Sequence, residues 1–131
     1  MKEVYEFLKQ CGTYYLATVE GDQPRVRPFG TMDLFEDKLY FQTGKVKAVA
    51  QQLKANPKVE LSATAPDGRW VRIQAEVVLD DNIQAQEHML EAYPHLKAMY
   101  QPGDGNTEVY YLKNATAQIC SFTAKPQVIE F

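Results

Sequence analysis

At 131 residues the chain has the length of one domain with a single core, and too little for two. Apolar residues make up 45% of it, with eight Tyr, six Phe and one Trp, which excludes a disordered segment. A formal net charge of −3 and a pI near 5.4 exclude a dedicated nucleic-acid binder, while leaving room for a small anionic ligand in a local basic pocket.

In chain order, Val4, Phe7, Leu8 and Cys11 repeat at helical spacing, and Gly12 stands where a helix C-terminus ends. Residues 13–19, rich in Tyr, Thr and Val, predict a strand, and Glu20-Gly21-Asp22-Gln23 a turn into a second strand over 24–34. A turn at Glu36-Asp37 leads to a third strand over 38–42. Gly44 then opens a helix over 46–55 that places Val49 and Leu53 on one side and is stopped by Asn56-Pro57.

Residues 58–64 and 70–79 read as a hairpin around Pro66-Asp67-Gly68-Arg69. Asp80-Asp81-Asn82 offers an N-cap for a helix over 83–92, and Pro94 starts a second helical piece reaching Met99 or Tyr100. After the polar loop 101–106, strands over 109–112 and 115–122 close the sheet. With 109–122 counted as one or two strands, the order predicts one domain over 1–131, mainly β with helices: a six-stranded antiparallel barrel.

Charge is unevenly spread. Arg25, Arg27, Lys45, Lys47, Arg69 and Arg72 lie in the first half, and acids dominate residues 80–108. Cys11 and Cys120 are too isolated for a disulfide framework and read as reduced thiols, His88 and His95 read as surface residues, and no metal site is expected. With no leader pattern and no apolar run of membrane-spanning length, a cytoplasmic protein that binds no membrane is expected.

The segment Gln42-Thr43-Gly44-Lys45-Val46-Lys47 carries the functional signal. A helix start offers backbone N–H groups, and a threonine hydroxyl and two lysines stand beside it, which together make a seat for a phosphate dianion. Lysines in a first helical turn oppose the helix dipole, so an anion there relieves them. Read alone, each of these charges could instead be a solvated one.

In order and spacing, Pro24-x-x-Arg27-Pro28-Phe29, Tyr40-Phe41-Gln42-Thr43, Lys45-x-Lys47, Leu53-x-x-Asn56-Pro57 and Trp70-Val71-Arg72-Ile73-Gln74-Ala75-Glu76 resemble the pyridoxamine 5′-phosphate oxidase-like flavoproteins, the FMN-binding split barrels. The resemblance runs from about Phe7 to Phe131 and is nearest to small bacterial members grouped with nitroimidazole-resistance proteins. It implies FMN, with Arg27, Pro28, Phe29 and Gly30 along the flavin ring and ribityl chain, Gln42 and Thr43 at the ribityl or phosphate, and Lys47 with Lys45 at the phosphate. It also implies a homodimer in which Trp70 and Arg72 complete the site from the partner.

FMN couples a dianion to a flat apolar ring, so it needs cations at one end of a slot and apolar walls at the other. The loop over 43–47 is shorter than in true pyridoxamine phosphate oxidases, Trp70 stands where those enzymes carry a flavin-contacting glutamine, and residues 122–131 lack their Arg and His substrate signature. Vitamin B6 oxidation is therefore not expected. What is expected is an oxidoreductase passing electrons from NAD(P)H to a small planar acceptor such as a quinone or nitroaromatic, with no residue assignable as catalytic. A flavin or heme sensor module, and a dimeric barrel without cofactor, are the alternatives.

Overall fold

The computed structural model describes all residues, 1–131. An N-terminal helix α1 (Lys2–Cys11) buries Val4, Phe7 and Leu8, and ends where the Gly12 N–H donates to the Leu8 carbonyl at 3.0 Å. Gly12 takes φ 81°, a conformation that costs a residue with a Cβ but not glycine. The strands are β1 (Tyr14–Glu20), β2 (Gln23–Phe29), β3 (Asp33–Phe35), β4 (Lys38–Gly44), β5 (Lys58–Thr64), β6 (Trp70–Asp80), β7 (Thr107–Cys120) and β8 (Gln127–Glu130). Helix α2 (Ala48–Ala55) follows β4, while α3 (Ile83–Ala92) and a 3-10 turn (Pro94–Ala98) follow β6.

All pairings are antiparallel, in the order β2-β1-β5-β6-β7-β4-β3, with β8 added to β7. The antiparallel, helix-decorated sheet expected from the sequence is present, with eight strands where six were read. Residues 24–34 make two strands, β2 and β3, because the chain leaves the sheet at Gly30-Thr31-Met32. The two last strands read from the sequence are one continuous strand, β7, which accommodates Asn114 at φ 51° opposite a register shift between Gln74 and Glu76. The eighth strand, β8, lies in a tail for which no strand was read.

Alternation sets the core. Buried positions in β5 and β6 alternate with exposed ones, as one-sided strands require. Strand β4 breaks that pattern: every residue after Lys38 is buried. Leu39 and Phe41 face the main core of 23 residues, whereas Tyr40 packs with Ala85, Met89 and Val109 under α3. Phe41 stacks on Tyr110 with centroids 5.5 Å apart and meets Phe29 edge-on at 5.5 Å.

The ends of the sheet path, β2 and β3, do not pair, so the barrel has a seam. Side chains stitch it. The Tyr14 hydroxyl donates to the Thr31 carbonyl at 2.6 Å, the Gln42 N–H donates to Thr31 Oγ1 at 3.0 Å, and the Tyr93 hydroxyl donates to the Met32 carbonyl at 3.0 Å. His88 is more than a surface residue: its Nδ1 lies 2.6 Å from Oδ2 of the buried Asp33, tying α3 to β3.

Because Phe41 is fully buried between two other rings, Phe41→Ala should cost about 3–5 kcal/mol through lost transfer energy plus a cavity. Urea unfolding followed by circular dichroism measures it, and a loss under about 1 kcal/mol would place the packing centre elsewhere.

Candidate functional site

At the seam lies a cavity of about 380 Å³. Four pieces of chain build it: the end of β2 with the following link, the end of β4, the first residues of α2, and the 3-10 turn with the two residues after it. A more open groove of about 450 Å³ crosses the outer face of β5, β6 and β7, but its lining is mostly polar and it has no apolar wall for a flat ligand.

Seven of the ten residues singled out in the sequence line the seam cavity: Arg27, Pro28, Phe29, Gly30, Gln42, Thr43 and Lys47. Lys45 lines a neighbouring groove with Asp80, Asp81 and Glu108 instead, because the turn before α2 points successive side chains apart. Trp70 and Arg72 lie outside the cavity of their own chain. Trp70 packs on Phe122 at 5.0 Å, and Arg72 pairs with Glu60 at 3.4 Å.

Helix α2 begins at Ala48, two residues later than read, with Lys47 as its N-cap. The Lys47 side chain makes no capping bond, and while the Ala50 N–H donates to the Lys47 carbonyl, the Ala48 and Val49 N–H groups keep their donor capacity beside an exposed ammonium. Thr43, at 4% exposure, has a hydroxyl with no hydrogen bond inside the chain. Buried Gln42 commits its amide differently. Nε2 donates to the Thr43 carbonyl and to Thr107 Oγ1, both at 3.1 Å, which leaves Oε1 as a fixed acceptor.

Arg27 does not lie along the strand edge. Its Nη1 donates to the Leu16 carbonyl at 3.2 Å and to Thr18 Oγ1 at 2.8 Å, and its Nη2 to Gln52 Oε1 at 2.5 Å. Burial lowers its pKa from the usual guanidinium value, and nearby Arg25 adds to this, the signature of a cation short of counter-charge. Arg25, Lys54, Arg69 and Arg72 each have a carboxylate within 4 Å, whereas Arg27 and Lys47 have none.

Apolar side chains complete the lining: Pro28, Phe29, Val49, Leu96 and Met99. Pro24 and Pro28 have no N–H and fall at the same parity in the β1 pairing, opposite Val19 and Tyr15. The backbone groups of Val26 and Pro28 therefore turn toward the free edge of β2, at the cavity rim. Two cations without carboxylate partners and an apolar lining in one cavity fit a phosphate ester of a flat ring system.

The sequence reading missed Thr31, Leu96, Met99 and Tyr100 in the lining, and Gln52 behind it. Only Gln52 left a trace: a polar residue beside Leu53 and three positions from Val49, on the buried face of α2. Gly44 is the other constraint. A Cβ there would come within 2.9 Å of the Tyr100 hydroxyl and 3.5 Å of Asn106 Oδ1, which is itself buried without a partner. Gly44→Ala should therefore push Tyr100 off the cavity wall and cost about 1–3 kcal/mol, read as a lowered thermal midpoint; an unchanged midpoint would show that the tyrosine moves freely.

The model of the pyridoxamine 5′-phosphate oxidase family matches residues 1–121. No protein of curated function matches the chain. Among solved structures, a NimC/NimA family protein from Clostridium acetobutylicum is 45% identical, with a TM-score of 0.97 over 100% of this chain and 92% of that one. Two more distant ones share the fold alone. A pyridoxamine 5′-phosphate oxidase-related, FMN-binding protein from Nostoc punctiforme has 15% identity and TM-score 0.65, over 99% of this chain and 95% of that one. A heme binding protein from Mycobacterium smegmatis has 12% identity and TM-score 0.79, over 98% of this chain and 56% of that one. With a family model spanning nearly its whole length and a near-superimposable structural relative, this chain belongs to the pyridoxamine 5′-phosphate oxidase family.

Proposed function

We propose that the protein is a homodimeric FMN-binding oxidoreductase that passes electrons from NAD(P)H to a small planar acceptor of the quinone or nitroaromatic type. The observation that carries this reading is the seam cavity, which Lys47 and Arg27, without carboxylate partners, line together with the apolar Phe29, Leu96 and Met99. In it, Lys47, the Thr43 hydroxyl and the α2 N–H groups hold the phosphate, and Gln42 Oε1 accepts from a ribityl hydroxyl. Pro28 and Gly30 border the ring edge, and Leu96 and Met99 exclude water from one face. FMN, once bound, supplies the two-electron chemistry itself, so the chain needs no redox-active side chain.

Trp70 and Arg72 lie too far from their own cavity to serve it, and on this reading they border the cavity of the second subunit. The FMN binding named for the Nostoc relative supports the cofactor assignment. Heme, named for the Mycobacterium relative, fits less well, since the cavity lining has neither His nor Cys. Lys45, facing the acidic groove, contributes to the general field rather than to a direct bond.

The purified protein should run near twice 14.9 kDa on a sizing column and release FMN, one per chain, in a mass spectrum of the native assembly. A Soret band or a bare apoprotein that ignores added FMN would refute the cofactor, and absence of turnover with both NADH and NADPH would leave a flavin carrier. Lys47→Ala should weaken FMN binding by about 1–3 kcal/mol, measured by flavin fluorescence quenching; unchanged affinity removes Lys47 from the site.

A further inference from the structure

The least expected contact at the cavity is the one between Arg27 and α2. Gln52 is 6% exposed, and its Oε1 accepts two hydrogen bonds, from Arg27 Nη2 and from Thr18 Oγ1, each at 2.5 Å. The same Thr18 hydroxyl accepts from Arg27 Nη1 at 2.8 Å, which closes a ring of three side chains from β1, β2 and α2. The Leu16 carbonyl takes a further Nη1 hydrogen. Every acceptor that fixes this guanidinium is neutral. The Gln52 Nε2 group donates no hydrogen bond inside the chain, so the glutamine enters the ring as an acceptor only.

Elsewhere the chain fixes its arginines with carboxylates: Arg25 with Glu20, Arg69 with Asp67, and Arg72 with Glu60. An acidic residue at position 52 would hold Arg27 at least as firmly, because a charge-assisted hydrogen bond is about twice as strong as a neutral one. It would also cancel the charge. A neutral amide orients the cation and leaves its full positive charge for a ligand.

Docking on Gln52 also places that charge. Gln52 lies five residues beyond Lys47, about 7.5 Å of helix, so the guanidinium is tied to the same helix whose first residues, with Lys47, line the cavity. We propose that Gln52 is a positioning residue that holds Arg27, through an uncharged acceptor, as the second cation of the phosphate seat. The proposal deepens the FMN reading and rests on it. Its chemical content is selectivity: the site prefers a phosphorylated ligand over the same ring and chain without phosphate, and Gln52 sets much of that preference.

The test is Gln52→Glu, which keeps the shape and both accepted hydrogen bonds. The affinities of the apoprotein for FMN and for riboflavin are read by fluorescence quenching, with the thermal midpoint alongside. The expected result is a thermal midpoint equal to or above wild type, riboflavin affinity within about twofold, and a ratio of FMN to riboflavin affinity at least tenfold lower. Opposite movement of stability and phosphate preference is something a purely structural glutamine would not produce. Gln52→Met, which removes the acceptor without adding charge, should reduce the ratio by a smaller factor, and it decides the matter if the glutamate variant folds poorly.

A ratio unchanged from wild type in the folded variants overturns the proposal and leaves the flavin assignment intact. If the wild-type protein itself binds FMN and riboflavin equally, the phosphate seat fails first and takes the proposal with it. If it binds neither, the flavin assignment fails.

Discussion

Strand β4 is buried on both faces, and the rest of the molecule is arranged around that constraint. Its odd residues, Leu39 and Phe41, belong to the barrel core, while Tyr40 packs under α3, so one strand serves as the wall between two apolar layers. Burying each such side chain contributes on the order of 1.5–3 kcal/mol, which fixes β4 more firmly than its short partner β3 could. The strand then ends at Gly44, where both layers run out. Gln42 and Thr43, although they face opposite sides, both reach the seam cavity.

The polar groups around that cavity are organised by the seam. With β2 and β3 unpaired, Thr31, Tyr14, Gln42 and Tyr93 supply the bonds that a continuous ladder would otherwise make. Each of these side chains is thereby fixed, and the cavity between them is preformed. Arg27 is oriented by amide, hydroxyl and carbonyl oxygens, whereas Arg25 and Arg69 on the outer surface pair with carboxylates. That contrast leaves the positive charge of Arg27 uncompensated at the cavity, set by which acceptor each cation meets.

Much of this was legible in the sequence, and for definite reasons. Strands β5 and β6 alternate because one face is wet, and the Asn56-Pro57 stop and the Asn82 cap are local signals that tertiary structure did not override. Chain-local clustering likewise brought Arg27 to Gly30 together with Gln42, Thr43 and Lys47 at one cavity, but not Lys45. What the sequence hid was non-local. The break at Gly30 to Met32 has no strong turn signature, β8 exists because β7 offers it an edge, and His88 looks solvated until Asp33 arrives from 55 residues away. Leu96, Met99 and Tyr100 carry no motif. They line the cavity because the 3-10 turn is folded back across it.

Strand β7 has a consequence for how the protein comes into being. It is the direct neighbour of β4, with Gln42 opposite Val109 and Thr43 opposite Glu108, and it also supplies Thr107, which fixes the Gln42 amide. The cavity is thus lined from two stretches well apart in the chain, 27–49 and 96–100, and the residue that fixes the Gln42 amide lies 65 positions beyond it. Until β7 is made, the β4 edge that it covers has no partner, and the Gln42 amide has no Thr107 to fix it. Completion of the cavity is therefore a late step of folding, one that follows the pairing of β4 with β7.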